Sequence, residues 1–208
     1  MIPTLATFAL LSIWALAVPA RAAQIAVDFT GTVESYYRSV ALDDSVGVGS
    51  LVSGSFSIDA DSPDLDGSGT PGYSYYAMAQ PPSSFTLDVG NYHFVSNEIL
   101  SVNVTDAVDP SQMDSVGIDS LAADGDVATQ LFLLLTGDYS VLSSTALAAI
   151  PFDLSLWTNE HAMSANFEHP AGMAISLDSL QVTAPEPAPF ALLALGLAAV
   201  ALARRGRA

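Results

Sequence analysis

Four aspartates lie within eight residues of this 208-residue chain, at positions Asp59, Asp61, Asp64 and Asp66. Carboxylates on a loop made flexible by Gly67 and Gly69 could wrap a hard cation such as Ca²⁺, which takes roughly six to eight oxygen ligands. The EF-hand frame does not fit, because placing Gly67 at its glycine position puts Tyr73 where the bidentate glutamate belongs. We therefore favour a solvated turn between two strands, and calcium binding is the alternative hypothesis.

Tyrosines form a second cluster that could do chemistry, with Tyr73, Tyr75 and Tyr76 close together and Tyr36 and Tyr37 earlier in the chain. Aromatic faces stack on the apolar C–H surfaces of sugar rings, so the three later tyrosines could form a carbohydrate platform. Tyrosine is also a good strand former, and packing within the fold is the interpretation that we favour.

The sequence offers little for catalysis. His93, His161 and His169 are too widely spaced for a local metal motif, and neither H-E-x-x-H nor G-x-S-x-G occurs. The chain has no cysteine, which excludes a thiol nucleophile and disulfides. We predict that the protein is not an enzyme, has no catalytic residues and needs no cofactor. A secreted hydrolase would instead need two carboxylates that converge across a cleft.

Alternation of apolar and polar residues dominates the middle of the chain and predicts half-buried strands. Gly90-Asn91 predicts a two-residue hairpin in which Val89 pairs with Tyr92 and Leu87 with Phe94, leaving His93 on the solvent side. The unbroken apolar run Leu131–Leu135 predicts either a strand buried on both faces or a short helix, and we favour the strand.

These patterns predict an all-β body, an antiparallel β-sandwich or jelly roll, in a single domain of residues 23–183. The predicted strands cover residues 25–34, 52–58, 85–89, 92–94, 100–104, 116–118, 131–135, 152–157, 163–167 and 174–182.

Charge divides the chain into three segments. The protein has 22 acidic residues, five arginines and no lysine, for a formal net charge of −17. A nucleic-acid-binding protein needs clustered cations on its surface, so this class is excluded. Arg38 is the one cation between residues 24 and 186, whereas Arg204, Arg205 and Arg207 are gathered at the C-terminus.

The N-terminal segment has the features of a secretory signal peptide, residues 1–22. An apolar core of 11 residues, Phe8–Val18, is too short to span a membrane and is followed by Ala20-Arg21-Ala22. Small residues at Ala20 and Ala22 predict signal peptidase cleavage after Ala22. A retained membrane anchor is the alternative.

The C-terminal segment, residues 184–208, combines Pro185-Glu186-Pro187, a 16-residue apolar run from Ala188 to Ala203, and the arginine cluster. As a helix the run would be about 24 Å long, slightly under the roughly 30 Å hydrocarbon core of a bilayer. The arginines should stay cytoplasmic and leave the acidic body on the periplasmic side. A buried core helix is the alternative, although the run is apolar on every face.

Pro185, Glu186 and Pro187, the apolar span, and Arg204, Arg205 and Arg207 together resemble the PEP-CTERM sorting signal of Gram-negative, biofilm-forming bacteria. The resemblance implies recognition by exosortase, an inner-membrane protease or transpeptidase that removes the tail near the PEP motif. The body, with Gly31-Thr32-Val33 early and Phe85-Thr86-Leu87 before a glycine hairpin, resembles an uncharacterised group of PEP-CTERM proteins, which implies no activity.

The sequence therefore predicts an exported structural protein of the cell surface or extracellular matrix. It is anchored transiently in the inner membrane, processed by signal peptidase and exosortase, and then associated with exopolysaccharide. A carbohydrate-binding module of the biofilm matrix is the alternative, followed by a secreted hydrolase.

Overall fold

The computed structural model describes residues 24–37, 42–79, 83–96, 99–167 and 172–183. Ten strands are present in these residues: β1 (Gln24–Tyr37), β2 (Leu51–Asp59), β3 (Tyr73–Met78), β4 (Ser84–Val89), β5 (Tyr92–Ser96), β6 (Leu100–Thr105), β7 (Met113–Asp124), β8 (Val127–Asp138), β9 (Glu160–Asn166) and β10 (Gly172–Thr183). Two single-turn 3-10 helices, Leu147–Ala149 and Leu154–Leu156, lie between β8 and β9. Within the described ranges, no helix has both the length and the apolar character needed to cross a membrane. The predicted signal peptide and sorting tail lie outside these ranges.

The strands form one antiparallel sheet that closes on itself. Its order is β3-β6-β7-β5-β4-β2-β1-β10-β9-β8, and β8 also pairs with β7, so that eight strands form a closed barrel. β7 is long enough to pair with β8 along its whole length and, on its other edge, with β6 at one end and β5 at the other. β6 and β3 therefore lie outside the closed ring of eight strands and continue the sheet from one edge of β7.

The all-β, antiparallel prediction is confirmed, but the sandwich or jelly-roll arrangement is wrong. A sandwich has two separate sheets, whereas here a continuous ladder of hydrogen bonds runs around the barrel. Closure requires strands to bend, and the ladder between β1 and β10 has register shifts at Thr30/Gly31 and at Val33/Ser35. Such bulges bend a strand and increase its twist, which lets the first and last strands meet.

The core fills the barrel with alternate side chains from each strand. Phe29, Phe56 and Phe85 are buried and meet at ring-centroid distances of 5.9–6.5 Å, with the Phe85 ring steeply inclined to the other two. Phe152, from the connection between β8 and β9, adds its ring 5.5 Å from that of Phe56. The connection therefore adds an apolar side chain to the core.

Most predicted strands are present, often with longer bounds. The hairpin register is confirmed, with Val89 opposite Tyr92 and Leu87 opposite Phe94, and His93 is exposed as expected. Gly90 has a φ of 58° and Asn91 does not have positive φ, which fits a type II′ turn. The run Leu131–Leu135 is a strand, as favoured, but it is fully buried on one face only, because Phe132 and Leu134 on the other face are half-buried.

The strand predicted at residues 152–157 is wrong, because the segment contains a 3-10 turn. Asp153 accepts a hydrogen bond from the Ser155 N–H and caps that turn. Phe152 and Trp157 are both buried although they are five residues apart, which the two-residue period of a strand cannot achieve. The Trp157 indole donates to the Pro151 carbonyl at 2.8 Å and fixes the turn.

Candidate functional site

The aspartate-rich loop between β2 and β3 turns back onto the first residues of β3. Asp64 is the residue that makes this contact. Its Oδ1 accepts the N–H of Tyr75 at 3.1 Å, and its Oδ2 lies 2.7 Å from the hydroxyl of Ser74. The next residue, Leu65, donates its N–H to the Tyr75 carbonyl at 2.7 Å. Both backbone groups of Tyr75 are thus satisfied by the loop.

The same contacts set the charge state of Asp64. The pKa of its carboxyl lies below the usual value, mainly because the Asp66 N–H donates to it and then because of the Ser74 hydroxyl. Hydrogen bonds to a carboxylate favour the ionised form. Asp64 is therefore a firmly ionised acceptor, suited to binding N–H and O–H groups.

The other three aspartates of the cluster do not converge with Asp64. Asp59 Oδ1 accepts the Asp61 N–H, and Asp66 accepts both the N–H and the hydroxyl of Ser68. No group of three or more His, Cys, Asp or Glu side chains that could hold a metal occurs in the described residues. Calcium binding by Asp59, Asp61, Asp64 and Asp66 stays a prediction, and calorimetry with millimolar Ca²⁺ that gave no heat would contradict it.

The three clustered tyrosines are separated by the pleat of β3, a strand that the sequence analysis did not identify. Tyr76 is buried, and its hydroxyl donates to the Thr145 carbonyl at 3.0 Å. Tyr73 and Tyr75 are half-buried on the opposite, outer face. Tyr76 therefore cannot belong to the predicted platform of three tyrosines, because consecutive strand residues point to opposite faces.

Tyr73 and Tyr75 share their outer face with two residues that the sequence analysis did not select. Asn103 on β6 pairs with Tyr75, and its side-chain oxygen accepts the Tyr73 hydroxyl at 2.8 Å. The Phe132 ring on β8 lies close to Gly117 on β7. A Cβ added at Gly117 would be 3.3 Å from that ring. We call Tyr73, Tyr75, Asn103 and Phe132 the tyrosine face.

The tyrosine face combines aromatic surface with a hydrogen-bond donor. The Asn103 amide nitrogen has no hydrogen-bond partner among the described residues, whereas its side-chain oxygen accepts the Tyr73 hydroxyl. Aromatic rings beside a free amide are suited to a polyhydroxylated ligand. Only the register of four strands brings these residues together, so no local signal could have identified Asn103 or Phe132.

The histidines lie apart from this face. His93 Nδ1 is 2.6 Å from Asp88 Oδ1 on the barrel exterior, where both side chains are about half exposed. His161 Nδ1 is 3.1 Å from the Trp157 carbonyl oxygen. His169 lies outside the described residues.

The two ends of the described body are neighbours. β1 and β10 pair with Ala26 opposite Thr183 and Val27 opposite Val182. β1 begins two residues after the predicted signal cleavage site at Ala22, and β10 ends two residues before Pro185. The predicted cleavage residues Ala20 and Ala22, the motif Pro185, Glu186 and Pro187, and Arg204, Arg205 and Arg207 lie outside the described residues.

Comparisons with protein families, with curated proteins and with solved structures find no match to this chain.

Proposed function

We propose that this protein is an exported structural component of the cell surface or extracellular matrix, processed at both ends by signal peptidase and exosortase. The observation that carries the proposal is the pairing of β1 with β10, which brings the residues next to both predicted processing sites to one end of the body. The tail motif, which resembles the PEP-CTERM signal, and the apolar N-terminal segment supply the sorting information.

The chemistry of the body is consistent with this role. All five arginines fall outside the described residues, so the described surface carries acidic side chains with no Lys or Arg among them. A strongly negative protein stays dispersed among anionic polysaccharides, to which divalent cations can bridge it. In the proposed topology, the body is held on the periplasmic side of the inner membrane until the tail is removed.

Intact mass and cell fractionation of the native protein, with and without the host exosortase gene, test the proposal. We expect a mature form that starts at Ala23, ends near Pro185–Pro187 and leaves the membrane only when exosortase is present. A Glu186→Ala variant should stay membrane-bound, whereas Glu160→Ala, a matched acid in the body, should be processed normally. A tail retained in both strains would contradict the proposal.

Carbohydrate binding is a second candidate function, favoured by the tyrosine face. Tyr75 is half-buried on the outer face, opposite Asn103 on β6, and aromatic side chains on an outer sheet face can stack on the sugar rings of a glycan chain. This candidate is compatible with a matrix location but assigns the body a ligand.

Pull-down with the host exopolysaccharide distinguishes the two candidates. Tyr75→Ala and Asn103→Ala should each reduce the bound fraction severalfold with little change in melting temperature. Tyr37→Ala is the matched control, because Tyr37 is 70% exposed at the far end of β1. Equal retention of all three variants would remove the tyrosine face from consideration.

A further inference from the structure

β3 is an edge strand. It pairs with β6 on one side, and on the other side no strand of the described residues adjoins it. An edge of this kind presents a row of backbone N–H and C=O groups to which another chain can add a strand.

The aspartate-rich loop occupies them at Tyr75. Asp64 Oδ1 accepts a hydrogen bond from the Tyr75 N–H, as a carbonyl of a neighbouring strand would. The Leu65 N–H donates to the Tyr75 carbonyl. Two residues earlier on β3, the Tyr73 N–H donates to the Thr70 carbonyl of the same loop. Ala77 lies two residues beyond Tyr75, so its N–H and C=O face the same edge, and they meet no partner in the described part of the chain. The loop thus covers the first half of the edge.

The sequence of β3 favours pairing with an identical strand. Tyr73–Met78 contains no charge, no proline and no glycine, and half of its residues are tyrosine. Six-residue segments with high β-propensity and low charge are those that pair readily with identical copies. Charged residues that flank such a segment oppose this pairing, because two copies would bring like charges together.

We propose that the β3 edge is a masked strand-addition surface, that its partner when unmasked is the β3 edge of a second copy of this chain, and that Asp64–Leu65 is the mask. Asp64 blocks the edge in two ways, by satisfying the Tyr75 N–H and by placing a carboxylate where the incoming strand would lie. The dimer so formed has two-fold symmetry, with β3 antiparallel to its copy. This inference does not depend on the proposed function.

Sedimentation velocity of the full chain in one non-ionic detergent, over a range of concentrations, tests the mask. Asp64→Ala should tighten self-association by about tenfold or more relative to the wild type. Asp66→Ala is the matched control, because it removes one charge from the same loop but contacts Ser68 rather than β3. Asp64→Asn, which keeps an oxygen facing Tyr75, should lie between the two.

Two further variants locate the surface and guard against misfolding. Leu65→Pro removes the N–H that binds Tyr75 without changing charge, so it should also promote association. Ala77→Lys added to Asp64→Ala should restore the monomer, since a lysine on the edge opposes strand addition. If Asp64→Ala loses its circular dichroism signal, Leu65→Pro replaces it in the test. Leu65→Pro should then associate, and Leu65→Pro combined with Ala77→Lys should be monomeric.

Because the chain has no cysteine, a single nitroxide can report the interface. In the Asp64→Ala background, a label at Ala77→Cys should show dipolar broadening, and a label at Gln181→Cys on β10 should not. Folded Asp64→Ala and Leu65→Pro variants that sediment as the wild type does would overturn the proposal. Association with no broadening at position 77 would overturn it as well.

Discussion

Asp114 shows how one buried carboxylate can hold two connections in place. It is fully buried, its Oδ1 accepts the Ala107 N–H, and its Oδ2 accepts the Leu142 N–H, each at 2.7 Å. These donors belong to the connections on either side of the β7–β8 pair. Without the carboxylate, both N–H groups would be buried and unsatisfied.

We therefore expect Asp114→Ala to lower the free energy of unfolding by about 2–5 kcal/mol, from two lost hydrogen bonds and their unpaired donors. Asp126→Ala, at an exposed turn, removes the same side-chain group and should change the free energy of unfolding by less than about 0.5 kcal/mol. Urea denaturation of the three proteins measures the difference. Similar values for the two variants would show that Asp114 is not a structural acceptor.

Outside the Gly90-Asn91 hairpin, the sequence predicted the orientation of some single residues but not their partners. Strand alternation correctly placed His93 outside, because the pleat fixes which face a residue occupies. The same rule separates Tyr76 from Tyr75, yet it could be applied only once β3 was known to be a strand. No sequence pattern indicated the role of Asp114, because the two N–H groups that donate to it lie 7 and 28 residues away.

At the scale of elements, Gly54 on β2 allows the Phe29 ring to lie across the strand. A Cβ added at Gly54 would lie 2.3 Å from the Thr86 carbonyl oxygen and 2.4 Å from the Phe29 ring. Neither neighbour can move freely, because one belongs to the backbone of β4 and the other to the core. The absence of a side chain at this position is thus a requirement of the β1–β2–β4 packing.

Gly54→Ala should cost about 1–3 kcal/mol of stability, the usual range for overpacking. Gly47→Ala is the control, because no atom lies within 4 Å of its added Cβ. The melting temperature of each variant, compared with that of the wild type, measures the effect. A Gly54→Ala protein as stable as the control would mean that both the Phe29 ring and the β4 backbone at Thr86 can shift without loss.

At the scale of the whole molecule, charge repulsion should oppose folding. The net charge of the chain is −17, and the described body contains no Lys or Arg to offset its carboxylates. Raising the salt concentration from about 0.01 M to about 0.15 M shortens the screening length from roughly 30 to 8 Å. We expect the melting temperature to rise with NaCl over this range. The exposed-site variant Asp126→Asn should be stabilised at low salt and gain less from added NaCl.

Added salt should stabilise the fold, whereas lowering the pH below about 4 should destabilise it. The pKa values of Asp43, Asp64, Asp109 and Asp153 are lowered, in each case chiefly by hydrogen bonds from the residue two positions ahead. A carboxyl whose pKa is lower in the folded state stabilises the fold fully above its unfolded pKa, here 3.8, and loses that contribution as the pH falls through the folded value.

Urea denaturation between pH 7 and pH 2 measures this loss as a fall in the free energy of unfolding below about pH 4. Asp153→Asn should flatten the fall, because it removes one of the four lowered pKa values. Stability that kept rising to pH 2 would show that relief of charge repulsion outweighs these hydrogen bonds.

The sequence by itself determined the strand content, the turn at Gly90-Asn91, the acidic surface and the predicted sorting signals at the two ends. These properties depend on local periodicity, on backbone conformations that favour glycine, or on composition. Most strands could therefore be predicted, apart from β3, whose tyrosines suggested a ligand platform, and residues 152–157, whose apolar residues suggested a strand.

Only the tertiary structure decided how the strands are joined. Closure depends on pairing Ala26 with Thr183 and on bulges whose positions no local pattern specifies. The position of Asp64 on the edge of β3, and of Asn103 opposite Tyr75, likewise depends on contacts between distant segments. Period-two alternation fixes the face of a residue but not its neighbour across the ladder, which is why the barrel, the mask and the tyrosine face could not be predicted from the sequence.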